Sequence, residues 1–327
     1  MINFINNILI RNFKSLKECE IIDCKRINLF IGKPNVGKSN IIEALSLFTI
    51  PYLKENSLKK LSSLIRVENE TELFYKGNFD SETFVTTNLG TCEIQYNPKE
   101  FLTTFFNFRG ETYGAKIDDK LRVSALSTSV DFQTYIKRYT FKQNVTYKKD
   151  HAKYLIPPFG SNLLSVIERY PHLRKEVIGF FEENKLEIAF DKSSQTIKIL
   201  QKNDDGIFLI PYNSIADTLQ RIIFFKASIE SNNNCVLLFE EPEAHSFPPY
   251  MRHLTQEIIR KTDNQFFIAT HSPFILNDLL ENAKEELSVF TVNYKNEQTV
   301  IRQLSSSELH EIFQFGVDLF TNNERYL

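Results

Sequence analysis

Eight consecutive residues, Gly32-Lys33-Pro34-Asn35-Val36-Gly37-Lys38-Ser39, satisfy the pattern G-x-x-x-x-G-K-[ST] at every fixed position. Glycines let successive backbone N–H groups turn inward around phosphate oxygens, and a helix start behind them adds the positive end of its dipole. In that arrangement Lys38 reaches the β- and γ-phosphates of a nucleoside triphosphate, and the Ser39 hydroxyl ligates Mg²⁺. Four fixed positions arise by accident in roughly one chain in a hundred of this length, so the flanks decide. Arg26 to Ile31 is strand-like and ends at Gly32; Asn40 to Phe48 carries Ile41, Ile42, Leu45 and Phe48 at helical spacing. Strand, loop and helix are the context that phosphate binding requires.

Two further segments place chemistry at strand ends. Val236-Leu237-Leu238-Phe239-Glu240-Glu241 is an apolar strand closed by two acids. Open α/β sheets bind ligands at the carboxyl ends of their strands. There Glu240 would hold Mg²⁺, through water, and Glu241 would polarise an attacking water as general base. The next apolar strand, Phe266 to Ala269, ends in Thr270-His271-Ser272-Pro273. From the same edge His271 would donate to the γ-phosphate and orient the nucleophile.

These residues need a scaffold of alternating strands and helices. After an opening strand, Asn3 to Ile10, and the loop helix, periodicity loosens from Pro51 to Ile156, where Thr91 to Tyr96 reads as a strand. The expectation is one ATPase domain over residues 1–327 with an inserted α+β subdomain over 51–156. Beyond Pro157-Pro158 a helix is expected from about Ser161 to Glu183, then short strands around Leu186–Phe190, Thr196–Ile199 and Ile207–Ile210. Helices at about Ala216–Glu230 and Pro249–Lys261 precede the strands Cys235–Phe239 and Gln265–Ala269. Ser288 to Asn293 reads as an edge strand and Ser306 to Phe320 as a last helix. Strands alternating with helices argue for a parallel or mixed sheet covered on both faces, the α/β P-loop class.

Composition narrows the setting. The chain has 327 residues, 42% hydrophobic and 24% charged, with a formal net charge of −2. That is an ordinary globular balance and excludes a globally basic nucleic-acid binder. Cys19, Cys24, Cys92 and Cys235 lack metal-ligand spacing and read as reduced thiols of a cytoplasmic protein. No apolar run is long enough to span a bilayer, so no membrane contact is expected. A basic, aromatic-laced stretch runs through Lys137, Arg138, Lys142, Lys148, Lys149 and Lys153. It reads either as a DNA-backbone track with Tyr139, Phe141 and Tyr147 for stacking, or as a solvated strand face.

The order of motifs, with about two hundred residues between loop and acids and a histidine one strand later, resembles ABC-type ATPases of the structural-maintenance and RecF kind. More narrowly, four segments together look like the overcoming-lysogenization-defect (OLD) family, RecF-like ATPases of antiphage systems. They are Ile10-Arg11-Asn12-Phe13-Lys14-Ser15-Leu16, the loop with Asn40, Glu240-Glu241-Pro242-Glu243-Ala244-His245, and Ala269-Thr270-His271-Ser272-Pro273. The resemblance implies ATP and Mg²⁺ as ligands, Asn40 at the nucleotide, and a head-to-tail homodimer or higher oligomer. It also implies a signature serine acting on the opposite subunit's nucleotide, matched here by Ser214 before Ile215-Ala216-Asp217. The plain alternative for Ser214 is an N-cap.

The chain departs from the family pattern in three places. No glycine occurs from Ile207 to Phe315, so the signature lacks its usual glycines, and this argues against a transporter subunit. Phe247-Pro248 stands where relatives carry a second histidine, leaving His245 without a catalytic part, and no glutamine loop stands out. About fifty residues follow His271, too few for the Toprim nuclease that relatives often carry. The expectation is therefore a switch acting on a separate effector, a nuclease or toxin. The alternative is a DNA-binding RecF-like or structural-maintenance-like repair ATPase.

Overall fold

The computed structural model describes residues 3–56, 59–126, 132–183, 185–203, 206–317 and 319–320. The chain divides into two compact units, one of Met1–Arg138, Asn234–Glu241 and Thr262–Leu327, the other of Tyr139–Asn233 and Pro242–Lys261.

The first unit opens with an antiparallel hairpin, β1 (Ile8–Phe13) and β2 (Leu16–Ile21). The expected first strand began at Asn3. Asn3 to Asn6 instead satisfy much of their backbone through side chains. The Ile5 N–H donates to Gln265 Oε1 at 2.7 Å, Gln265 Nε2 donates to the Ile5 carbonyl at 2.8 Å, and the Asn3 N–H donates to Asn234 Oδ1 at 2.7 Å. Buried backbone groups need partners, and amides supply them where no strand lies alongside.

β3 (Ile27–Ile31) is buried at every position and leads through the loop into α1 (Lys38–Ser46). The chain then builds β4 (Thr83–Thr87), β5 (Gly90–Asn97), β6 (Phe101–Phe108), β7 (Glu111–Ile117) and β8 (Val123–Ala125). These strands continue the opening hairpin in a seven-stranded antiparallel sheet ordered β2-β1-β4-β5-β6-β7-β8. The stretch expected as one inserted lobe over 51–156 is thus shared: its strands up to Ala125 lie in the sheet of the N-terminal hairpin, joined to it through β4, and the chain enters the second unit after Arg138. β9 (Ile136–Tyr139) joins the other sheet.

The second unit contains α2 (Leu163–Arg169), α3 (Pro171–Glu183), the antiparallel strands β10 (Glu187–Asp191), β11 (Thr196–Asn203) and β12 (Gly206–Pro211), and then α4 (Asp217–Glu230). The single helix expected over 161–183 is two. Proline at 171 drives Tyr170 to an extended conformation (φ −106°, ψ 98°), which ends α2. α4 packs against α5 (Pro248–Arg260) of the same unit, while β13 (Val236–Glu240), between them in sequence, belongs to the first unit.

β14 (Gln265–Ala269), α6 (Pro273–Asn282), β15 (Leu287–Lys295), β16 (Gln298–Gln303) and α7 (Ser306–Phe315) complete the first unit. Its six-stranded sheet runs β16-β15-β3-β14-β13-β9, with β15, β3, β14 and β13 parallel and β16 antiparallel to β15. β15 is therefore internal rather than the edge strand expected, because β16 covers its outer side. Phe30 of β3 lies 5.4 Å from the Phe290 ring and 6.3 Å from Phe267, a row of rings across three parallel strands. Such ring pairs each add about 0.5–1.5 kcal/mol beyond burial. α1 packs on β13, β14 and β1, which places it among both sheets, and Ile41, Ile42, Ala44 and Leu45 are fully buried there. α7 ends earlier than expected, at Gly316 in the left-handed region (φ +61°), and starts with a capping box of Ser305 and Glu308.

Candidate nucleotide site

The sheet order brings the carboxyl ends of β3, β13 and β14 side by side, with Glu240 in register with Ala269 and Ala269 with Phe30. The three segments carrying chemistry in the sequence therefore meet at one edge.

The loop between β3 and α1 is shaped by both its glycines. Gly37 has φ +102°, and a Cβ there would lie 2.0 Å from Thr299 Oγ1. A Cβ on Gly32 would lie 2.3 Å from the Val292 carbonyl oxygen. Neither position tolerates a side chain. Lys33, Pro34 and Asn35 are exposed and Val36 is buried. Lys38 is 5% exposed and folds back over the loop, donating to the Gly32 carbonyl at 2.8 Å and the Lys33 carbonyl at 2.7 Å. Burial pushes its pKa down from 10.5 to about 8, against the pull of Glu241 and Glu240. Ser39 occupies the first turn of α1, and Asn40 Nδ2 donates to Ser15 Oγ at 2.6 Å.

Glu240, the last residue of β13, has both carboxylate oxygens engaged. Arg66 donates to Oε1 at 2.7 Å and Arg138 to Oε2 at 2.5 Å. The cluster extends inward: Arg66 Nε also donates to Glu43 Oε1 at 3.0 Å, and Lys14 Nζ meets Glu43 Oε2 at 2.5 Å. The Glu43 side chain is fully buried on α1, which requires these partners. Neither arginine stood out in the sequence. Arg138 lay inside a basic run, and Arg66 in a stretch without periodicity. The one available signal was an acid, Glu43, inside the apolar pattern of α1.

Glu241 follows the strand at φ +42°, a strained conformation for a non-glycine residue, held by its N–H donating to the Ala269 carbonyl at 2.8 Å. Half of its side chain faces solvent, and its Oε1 lies 3.6 Å from His271 Nε2. Burial, reinforced by Lys38, lowers the His271 pKa below 6.5 despite the opposing pull of Glu241. This favours the neutral imidazole. Lys38, Glu240, Glu241 and His271 form one electrostatic cluster.

Ser214 lies in the second unit, exposed, on a 3-10 turn from Tyr212 to Ser214. It does not cap α4, whose N-cap is Ala216. The basic run is partly internal: Lys137 and Arg138 are 3% and 4% exposed, and Lys137 lies over the Tyr52 ring. Tyr139 is fully buried, its hydroxyl donating to the Leu155 carbonyl at 2.5 Å, so it offers no stacking face. Lys142, Lys148, Lys149 and Lys153 are exposed.

Ser39 and Glu240 supply one hydroxyl and one carboxylate, hard oxygen donors of the kind Mg²⁺ takes beside phosphate and water. Among the described residues no three His, Cys, Asp or Glu cluster to hold a metal by themselves. An ion here would have to be held jointly with a nucleotide, and Glu240 would have to give up an arginine to reach it.

The AAA ATPase domain family matches residues 4–215 and 217–276, most of the chain. The chain belongs to that family. As a whole this AAA ATPase domain protein is 21% identical to an ATP/GTP phosphatase of Helicobacter pylori, over 97% of the chain and all of that protein. It is also 32% identical to the DNA replication and repair protein RecF of Leptospira biflexa over 79 residues, 24% of this chain and 21% of RecF. In fold it resembles an Smc head bound to the C-winged helix domain of ScpA, with TM-score 0.52, 14% identity and coverage of 94% of this chain and 100% of that one. An Smc head with an extended coiled coil, bound to the C-terminal domain of ScpA derived from Pyrococcus furiosus, gives TM-score 0.51, 13% identity and coverage of 95% and 99%. The fold is that of an α/β P-loop ATPase of Smc-head type. Among the described residues, no helix is long and apolar enough to cross a membrane.

Proposed function

We propose that this AAA ATPase domain protein hydrolyses ATP across a homodimer interface and serves as an OLD-type antiphage switch acting on a separate effector, a nuclease or toxin. The observation that carries the hydrolytic part is the convergence of Lys38, Glu241 and His271 at one sheet edge, with Glu241 3.6 Å from His271. In this reading Lys38 leaves the Gly32 and Lys33 carbonyls and neutralises the β- and γ-phosphates. Glu241 takes the proton of a water whose oxygen bonds the γ-phosphorus as the bond to the β–γ bridging oxygen breaks. His271, neutral, donates to a γ-phosphate oxygen and holds that water in line. Ser39 and Glu240 would hold Mg²⁺, which would supply charge neutralisation on the phosphates. Exposed Ser214 contacts the γ-phosphate of the opposite subunit, and Asn40 supports the loop.

The test is the Glu241→Gln variant purified with ATP. Hydrolysis should fall about 100-fold or more while ATP remains bound and a dimer accumulates. Co-purification of a defined protein partner supports the effector switch. A variant that turns over ATP at the wild-type rate removes Glu241 from the mechanism.

The similarity to RecF and the Smc-head fold favour a second reading, a DNA-binding maintenance ATPase. Under it the trapped dimer retains DNA alone, in a salt-sensitive manner.

A further inference from the structure

The floor of the phosphate loop is a hairpin about 260 residues away in sequence. Gly32 sits against the Val292 carbonyl of β15, and Gly37 against the Thr299 hydroxyl of β16. Both glycines of the motif are thus needed for close approach to β15–β16. Thr299 is 1% exposed, and its backbone N–H donates to the Ser15 carbonyl at 2.8 Å, tying β16 to the β1–β2 turn.

Its side chain belongs to a chain of three hydrogen bonds. Asn40 Nδ2 lies 2.6 Å from Ser15 Oγ, Ser15 Oγ 2.6 Å from Thr299 Oγ1, and Thr299 Oγ1 2.8 Å from the Val36 carbonyl oxygen. Proton counting gives the chain a direction. The Val36 carbonyl only accepts, so Thr299 donates its single proton there. Thr299 therefore accepts from Ser15, and Ser15 accepts from the Asn40 amide. Each hydroxyl thus accepts one hydrogen bond and donates one. In a trans peptide the C=O and N–H point in opposite directions. Holding the Val36 carbonyl towards Thr299 turns the Gly37 N–H away from the hairpin, to the side from which a phosphate would approach.

We propose that Thr299 is a positioning residue for nucleotide binding, aiming the Val36–Gly37 peptide through the chain Asn40–Ser15–Thr299–Val36. The inference rests on the reading of Gly32–Ser39 as the phosphate site. The hairpin carrying Thr299 is itself pinned, with Tyr75 donating to the Glu297 carbonyl at 3.1 Å and Lys76 paired to the Glu297 carboxylate. A displacement of β15–β16 would thus be felt at the phosphate loop.

The experiment measures ATP and ADP affinity, without Mg²⁺ to prevent turnover, for the wild type, Thr299→Val, Thr299→Ser and Lys38→Ala. Valine keeps the shape and leaves the Val36 carbonyl unpaired, so affinity should drop about tenfold, within the range for an unsatisfied buried acceptor. Serine should restore it to within about threefold, a rescue that mere packing of the threonine methyl would not give. Where Lys38→Ala loses affinity and Thr299→Val binds as wild type, the inference about Thr299 is overturned and the site stands. Where Lys38→Ala binds as wild type, the reading of the site itself fails. Should Thr299→Val not fold, Ser15→Ala breaks the same chain. Its loss of affinity should be non-additive with Asn40→Ala, and additive or absent losses would overturn the proposal.

Discussion

The Arg138 guanidinium lies 2.5 Å from Glu240, with side-chain exposures of 5% and 14%, so the acid that ends β13 is matched by a buried cation within β9. Arg66 engages the other oxygen of the same carboxylate and, through Glu43, reaches Lys14 in the β1–β2 turn. Glu240 is therefore shared between the charge balance of the fold and the proposed metal.

Removing one partner of a buried pair costs about 3–5 kcal/mol, because the other charge is left uncompensated. Arg138→Met should lower unfolding stability by roughly 3 kcal/mol, somewhat offset by the remaining Arg66 contact. The double variant Arg138→Met with Glu240→Met should recover much of the loss. Urea titration of both single variants and the double variant measures this, and a double-variant loss equal to the sum of the single losses would show that the pair is not coupled.

Burial lowers the Lys38 pKa to about 8. Only its charged form attracts phosphate, and bound phosphates raise its pKa further. ATP affinity should hold between pH 6 and 7 and weaken above pH 8, by up to about tenfold per pH unit until the complex itself deprotonates. Calorimetric titrations at several pH values, with Lys38→Ala as a flat reference, give the profile.

His271→Ala should reduce kcat about 100-fold with little change in KM, because the proposed bond strengthens as charge develops on the γ-phosphate. Steady-state kinetics separate the two parameters. A change confined to KM would place the histidine in ground-state binding instead.

Gly37→Ala should abolish nucleotide binding and lower the melting temperature. Its φ of +102° strains any side chain, and the new Cβ would enter Thr299 Oγ1. Pairing it with Thr299→Ala removes the closest clash but leaves Ser15 Oγ 2.8 Å from the new Cβ and keeps the strain. The double variant should therefore regain thermal stability only in part.

The one-dimensional pattern settled the strand–loop–helix around Gly32–Ser39 and the apolar strands that end at Glu240 and Ala269. These are local: a motif with steric requirements, and runs whose burial is written in their own composition. Three-dimensional pairing decided the rest. It moved the first strand from Asn3 to Ile8, because Gln265 and Asn234 satisfy the opening backbone from far along the chain. It made β15 internal by folding β16 over it, and it joined β4–β8 to the opening hairpin. It also drew Arg66 and Arg138 onto Glu240, and Thr299 beneath Gly37. Neither arginine is close in sequence to Glu240, nor Thr299 to Gly37. A buried charge or a crowded glycine states that a partner is required; only the folded chain determines which residue supplies it.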